Sequence, residues 1–477
     1  LEYCRILSGS EGGRRMAFSS ISFLFYFLPL FFLVYWLVPA RWKNVILVAG
    51  SLFFYAWGDL CGVPLLVVSV LVTYALGRVM RPDAPAGRRR LFLILGLAFH
   101  LALLVIFKYA AFFFGSFLPL PELALPLGIS FYTFHAISYL IDVYRGAASP
   151  QKSLLQLSVY LAMFPKLVMG PIAPYHELTA SLYRRELTME DTAAGCFRFA
   201  VGLGKKALLA DTLAGLVAGI WGDLSELTVL GAWLGLVGYA LQLYFDFSGY
   251  SDMAIGLGRL LGFRLPENFR YPYLCSSVSD FWRRWHVSLG AWFREYLYFP
   301  LGGSRRGTRR TLRNLLIVWL ATGLWHGASW NYVLWGLYFG VLICAEKLLA
   351  PVFRGCAQKT LLAGLYRPVS LLLALLGWVL FRAPDLPAAG QYLSTLFGGA
   401  AAVSAQARLY LHDYFPALLL GCIGATPLPA RLAGQLNARL RPAAQTVTRT
   451  VILLALLACS TLWLLNGSFQ SFVYFQF

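Results

Sequence analysis

Apolar runs of about twenty residues, each long enough to cross a bilayer as a helix, recur along this chain. The candidate spans are 18–39, 44–58 (short), 61–80, 91–116, 125–143, 153–173, 196–221, 228–247, 314–346, 364–382, 409–425 and 449–466. The 314–346 stretch is long enough for two shorter passes or a broken helix. The expected fold is all-α, a polytopic transmembrane helical bundle of about a dozen spans in a single domain over residues 16–477. The chain shows no internal repeat of the kind that builds many transporters. The segment 264–313, rich in Arg, Trp, Tyr and Pro, is too polar to span simply. It reads as amphipathic or re-entrant helices buried against the bundle, since irregular backbone at membrane depth needs protein or water to cover it.

Composition agrees. Hydrophobic residues make up 59% and charged residues 13%, where a soluble protein carries about a quarter charged. The formal net charge of +19 is read as cytoplasmic loop bias, and no nucleic-acid partner is expected. Arg41 and Lys43, Arg81 with Arg88, Arg89 and Arg90, and Arg145 with Lys152 fall in alternate turns, while the turns near 58–60 and 117–124 carry no Lys or Arg. The positive-inside rule then puts the basic loops in the cytoplasm and Met16 outside. Residues 1–15 are polar and begin with Leu, and Arg14 and Arg15 would sit on the wrong side. They are read as an upstream, non-native extension, with the native start at Met16. The eight cysteines are widely spaced without a C-x-x-C pair. That spacing suggests neither a disulfide framework nor a thiolate metal site, and most are expected to be buried.

Six histidines are present: His100, His135, His176, His286, His326 and His412. His326 sits in the uncharged stretch ATGLWHGASWNYVLWG between Gly323 and Gly327, and His286 in SDFWRRWHVSLGAWFREYLYFPLGG. An ionisable group in a membrane segment is expensive and usually faces a cavity or polar partner. Flanking glycines allow close approach of another backbone or of a substrate. On these grounds alone each could be a packed core histidine or a functional one. Lys166, Lys205, Lys206, Asp211, Asp246 and Asp252 are further intramembrane polar groups, most of them expected to be structural ion pairs or caps. The arginines Arg283, Arg284, Arg294, Arg305, Arg306, Arg309, Arg310 and Arg313 fit a cytoplasmic loop, and could add bidentate recognition of phosphates on a donor. The chain lacks G-x-S-x-G, H-E-x-x-H and Walker A motifs. Serine-triad hydrolysis, zinc chemistry and ATP-driven transport therefore lose support.

WRRWHVSLGAWFREYLYFPLGGSRRG followed by GLWHGASWNYVLWG resembles the membrane-bound O-acyltransferase (MBOAT) family, and is similar to its bacterial alginate O-acetylation branch. LPLGISFYTFHAISYLIDVYRG, FPKLVMGPI, GLGKKALLAD, LYFDFSGYSDMAIGLGRLLGF, ENFRYPY, LFRAPDL and the terminal FVYFQF match that branch too. The likeness thus covers Met16 to Phe477. Gly204 and Lys166 depart from it, where a bulkier residue and Gln are usual. The teichoic acid D-alanyl transfer proteins share the two histidines, but PLGGSRRG is closer to the alginate type.

The resemblance implies that His326 is the catalytic histidine and His286 the second histidine of a central tunnel. Trp282, Trp285, Trp325 and Asn331 are expected to line the tunnel, with Arg283 and Arg284 nearby. It further implies a multi-pass protein of the bacterial inner (cytoplasmic) membrane that takes acetyl from cytoplasmic acetyl-coenzyme A. The acceptor is expected to be a hydroxyl at the outer face, with an extracytoplasmic acetyltransferase or acceptor protein completing O-acetylation of an exported polysaccharide. No bound cofactor or metal is expected. A neutral imidazole, with its ordinary pKa of about 6.5, suits general-base work on that hydroxyl. His326 takes this role, and His286 orients the donor or polarises its carbonyl. The rival readings are D-alanyl transfer, or a glycan or lipid transporter without transferase activity.

Overall fold

The computed structural model describes residues 17–115, 117, 123–185, 187–355 and 359–466. The extension at 1–15 and the terminal motif at 472–477 lie outside the described residues. Every regular element among the described residues is helical. Five helices are long and apolar enough to cross a membrane in one piece: Ala86–Phe114, Val229–Leu260, Trp330–Ala350, Gly364–Arg382 and Pro442–Asn466. The bent pair Ala405–Gly424 and Leu428–Ala438, which meet at 68°, would be a sixth. The other apolar stretches form shorter or interrupted helices. The 153–173 stretch, for example, folds as Leu154–Ala162 and Phe164–Leu167. The protein is an all-α, multi-pass membrane protein. Val229–Leu260 is 67% buried and Pro442–Asn466 only 6%, so the first is a core helix and the second presents its apolar surface to lipid.

The chain divides into two compact units. Of the described residues, the first takes those within 17–203, 250–266 and 457–466. Its centre is the helix Ile129–Arg145, buried along most of its length and packed on Val63–Val79 and on Ala86–Leu104. Phe18, Phe23, Phe27, Phe31, Phe54 and Phe164 form an aromatic core in the same unit. The polar groups singled out in this unit are accounted for locally. Arg198 Nε donates to Asp252 Oδ1 at 2.7 Å, and Lys166 Nζ lies 4.0 Å from the centroid of the Tyr160 ring.

The second unit takes the described residues within 204–249 and 267–456. The 314–346 stretch resolves here as a helical hairpin, Thr308–His326 and Trp330–Gly355, broken just after His326. Gly323 and Gly336 face each other across it. A Cβ on Gly323 would overlap the Tyr332 carbonyl, and one on Gly336 the Trp319 carbonyl. The glycine beside His326 therefore admits another stretch of backbone, which brings the two helices to contact distance. The polar segment 264–313 folds as two short helices, Val278–Arg284 and Val287–Phe293, and a π turn over Arg294–Tyr298. Lys206, Asp211 and Asp246 form one buried cluster, with Lys206 Nζ 2.7 Å from Asp246 Oδ1 and 2.8 Å from Asp211 Oδ1.

Two expectations about cysteine are corrected. Cys61 is disulfide-bonded, and of the free cysteines Cys422 and Cys459 are exposed. Their places on apolar helices let lipid cover what water would not.

Candidate active site

The site is built on the short helix Val278–Arg284. Ser277 Oγ accepts from Asp280 N at 3.0 Å and caps it. Glu346, reaching in from Trp330–Gly355, accepts from Val278 N at 2.6 Å and Ser279 N at 2.9 Å. Those amides are the orphan donors of the helix start, where a negative charge is also favoured by the helix dipole. Tyr366 OH donates to the same carboxylate at 2.7 Å. The end of the chain segment that carries both Trp282 and Trp285 is thereby tied to two neighbouring helices. Glu346→Ala is expected to lower stability by about 2–3 kcal/mol, the scale of lost hydrogen bonds to a charged group, while Glu346→Gln loses less. Thermal unfolding in detergent checks this, and equal midpoints for the native and Ala proteins would rule out the clamp.

After this helix the backbone turns sharply. Trp285 is extended, and His286 adopts the left-handed conformation (φ 46°, ψ 51°) as the cap of Val287–Phe293. A non-glycine residue there stores on the order of 1–3 kcal/mol of strain and persists only where its surroundings over-determine it. Asn268 supplies much of that determination. Its carbonyl accepts from Val287 N at 3.0 Å. Its side-chain oxygen accepts from Ser288 N at 3.2 Å and from Ser288 Oγ at 2.9 Å, and lies 3.1 Å from His286 Nδ1. The His286 ring is 2% exposed and meets Phe247 edge-on at 4.7 Å and Trp325 at 6.0 Å. His286 lies outside the candidate spans, and burial pushes its imidazole down to about 3, so the ring is neutral at physiological pH.

His326 is the last residue of Thr308–His326 and is 3% exposed. Trp325, Trp335 and Phe381 surround its ring at centroid distances of 4.9, 4.9 and 5.2 Å, each near perpendicular. Trp325 thus touches both imidazoles, and two histidines forty positions apart in sequence are gathered around one indole.

The other expected site residues are distributed differently. Trp282 packs on Trp319, Trp335 and Phe339, and Trp285 on Phe281 and Trp378. They form a layer behind the His326 cage, joined to it through Trp335. Asn331 is buried, and its amide donates to the Ala383 carbonyl at 2.8 Å, tying the hairpin to the end of Gly364–Arg382. Arg284 pairs with Asp280 at 3.0 Å, and Arg283 is exposed. Neither arginine forms part of the aromatic cage. The remaining histidines serve elsewhere. His100 bonds Thr73, His135 packs on Tyr160, His176 pairs with Asp142, and His412 is exposed beside Asp413. Sequence reasoning missed Asn268, Phe247, Trp335, Trp378 and Phe381. Asn268 stands within ENFRYPY and Phe381 within LFRAPDL, so the signal was a motif without an assigned role.

A paired-histidine centre of this kind can remove a proton from a hydroxyl while excluding water. The family model for membrane-bound O-acyltransferases matches residues 52–367. The chain belongs to the membrane-bound O-acyltransferase family. A protein named as a probable alginate O-acetylase from Azotobacter vinelandii is 41% identical over 398 residues, covering 80% of this chain and 78% of its own. One with the same name from Pseudomonas putida is 38% identical over 495 residues, covering 97% and 100%. A peptidoglycan O-acetyltransferase from Helicobacter pylori is 35% identical over 424 residues, covering 80% of each chain. The protein is therefore an O-acyltransferase embedded in a membrane by several helices. This agrees with the expected family, fold and enzyme class.

Proposed function

We propose that this membrane-bound O-acyltransferase moves acetyl from cytoplasmic acetyl-coenzyme A to a hydroxyl at the outer face of the bacterial cytoplasmic membrane, for O-acetylation of an exported polysaccharide. The observation that carries the reading is the pair of buried histidines gathered around Trp325. The O-acetylase names of the relatives support acetyl as the cargo and a glycan as the final acceptor.

In the proposed reaction the acceptor oxygen attacks the thioester carbonyl, and His326 takes the hydroxyl proton. The carbon–sulfur bond breaks, the coenzyme leaves as thiolate, and the proton on His326 passes to that sulfur. An ester and a free thiol result, and no oxidant or metal is needed. The aromatic surroundings of His326 exclude water, which would otherwise intercept the acetyl group. His286 orients the donor or polarises its carbonyl. Trp282, Trp285, Trp325 and Asn331 border a tunnel that lets acetyl cross while the coenzyme stays in the cytoplasm, and Arg283 and Arg284 serve its phosphates. An extracytoplasmic acceptor protein relays the acetyl group to the polymer.

Deleting the gene tests this against transport of the glycan itself. The expected result is normal export of a polysaccharide that lacks acetate esters, restored by a plasmid copy. Loss of the polymer would indicate a transporter, and esters persisting in the deletion strain would overturn the proposal.

A further inference from the structure

Asn268 touches His286 in a way that decides where the ring carries its proton. The Asn268 side-chain atom that meets His286 Nδ1 at 3.1 Å also receives the Ser288 backbone N–H at 3.2 Å and the Ser288 hydroxyl at 2.9 Å. A backbone N–H only donates, so that atom is the amide oxygen, and an amide oxygen only accepts. The hydrogen in the contact to His286 must then sit on Nδ1. A neutral imidazole carries one N–H, which leaves the lone pair on Nε2.

We propose that Asn268 is a positioning residue that fixes His286 as its Nδ1–H tautomer, so that Nε2 meets the substrate as a hydrogen-bond acceptor. The inference rests on the proposed acetyl transfer at these two histidines and narrows it. Of the two roles open to His286, polarising the thioester carbonyl requires a donor, which Nε2 of this tautomer is not. Orienting the substrate by accepting from it remains. The chemistry that fits Nε2 is an N–H or O–H group, such as an amide of the donor's arm or the attacking hydroxyl. The same asparagine holds Val287 N through its backbone carbonyl, so one residue sets both the left-handed turn at His286 and the ring's proton.

The tautomer is read directly from the ring-nitrogen chemical shifts of ¹⁵N-histidine-labelled full-length protein in detergent, with the His286 signals assigned by their loss in His286→Asn. A neutral ring protonated at Nδ1 is expected. Protonation at Nε2, or at both nitrogens near neutral pH, would overturn the proposal whatever reaction the protein catalyses. Activity supplies the second arm, measured as acetate ester formed on exported polysaccharide and as label transferred from acetyl-coenzyme A. Asn268→Ala is expected to reduce transfer roughly 10–100-fold, the scale seen when a partner that orients a functional imidazole is lost. Asn268→Asp keeps the acceptor and adds a charge that stabilises the imidazolium. The contacts described for His286, the Phe247 and Trp325 rings and the Asn268 amide, bring no titrating group to it. The Asp variant should therefore retain activity at high pH, with its acid limb moved to higher pH than in the native enzyme, because His286 works only when neutral. A His286 titration, followed by its ring-nitrogen shifts, that is unmoved in an active Asp variant would reduce Asn268 to a structural role. Activity that instead falls on the alkaline side, as the imidazolium loses its proton, would mean that His286 acts as a donor.

Discussion

His326→Ala is expected to leave the protein inserted at normal levels while acetate esters disappear from the exported polysaccharide. The side chain ends one arm of the hairpin and touches Trp325, Trp335 and Phe381 by its ring faces and edges. Truncation costs packing there but leaves the Gly323–Gly336 contact that joins the two helices. The chemical loss is larger. General-base assistance contributes roughly 10²–10⁴-fold, so transfer should fall by about that factor. His286→Ala should cost much but less, because its role is to orient the substrate. Ester content and protein abundance, measured in the same membranes, check both. Full retention of esters in His326→Ala would end its assignment as base.

The second large effect concerns folding. Lys206 Nζ bridges Asp246 and Asp211, and all three side chains are buried. Taking away the lysine leaves two carboxylates facing each other without their cation. Breaking a buried ion pair from one side costs about 3–5 kcal/mol, so Lys206→Met should lose most of its folded protein in detergent. Asp211→Asn should be tolerated, since it leaves one cation against one anion and keeps an oxygen to accept from Nζ. Equal thermal midpoints for the two variants would show that charge balance does not hold this cluster together. The asymmetry also separates a structural cluster from a catalytic one, because Asp211→Asn is expected to transfer acetyl normally.

Much of this was legible in sequence because the lipid environment leaves few options. Apolar runs announced helices, and a histidine between two glycines in an uncharged stretch announced a crowded, special position. Both glycines, Gly323 and Gly327, proved to serve the neighbouring helix at Tyr332, an ambiguity that periodicity cannot settle. Hydropathy likewise could not place the break after His326, because the sequence stays apolar through it. Trp335, Trp378 and Phe381 look like ordinary core aromatics. Their relation to His326 exists only once three separate helices pack together. Asn268 lies eighteen residues before His286, and nothing local in ENFRYPY connects the two. The arginines divided by context: Arg284 found Asp280, and Arg283 stayed at the surface.

Membranes of polysaccharide-exporting cells that carry either the native protein or His326→Ala, supplied with acetyl-labelled coenzyme A, give the most direct test, because they hold both the acceptor protein and the polymer. Label appearing in ester linkage on the polymer with the native protein, and at background with His326→Ala, is the predicted result. The contradicting result is equal transfer by both proteins, which would place the chemistry somewhere other than the imidazole caged by Trp325, Trp335 and Phe381.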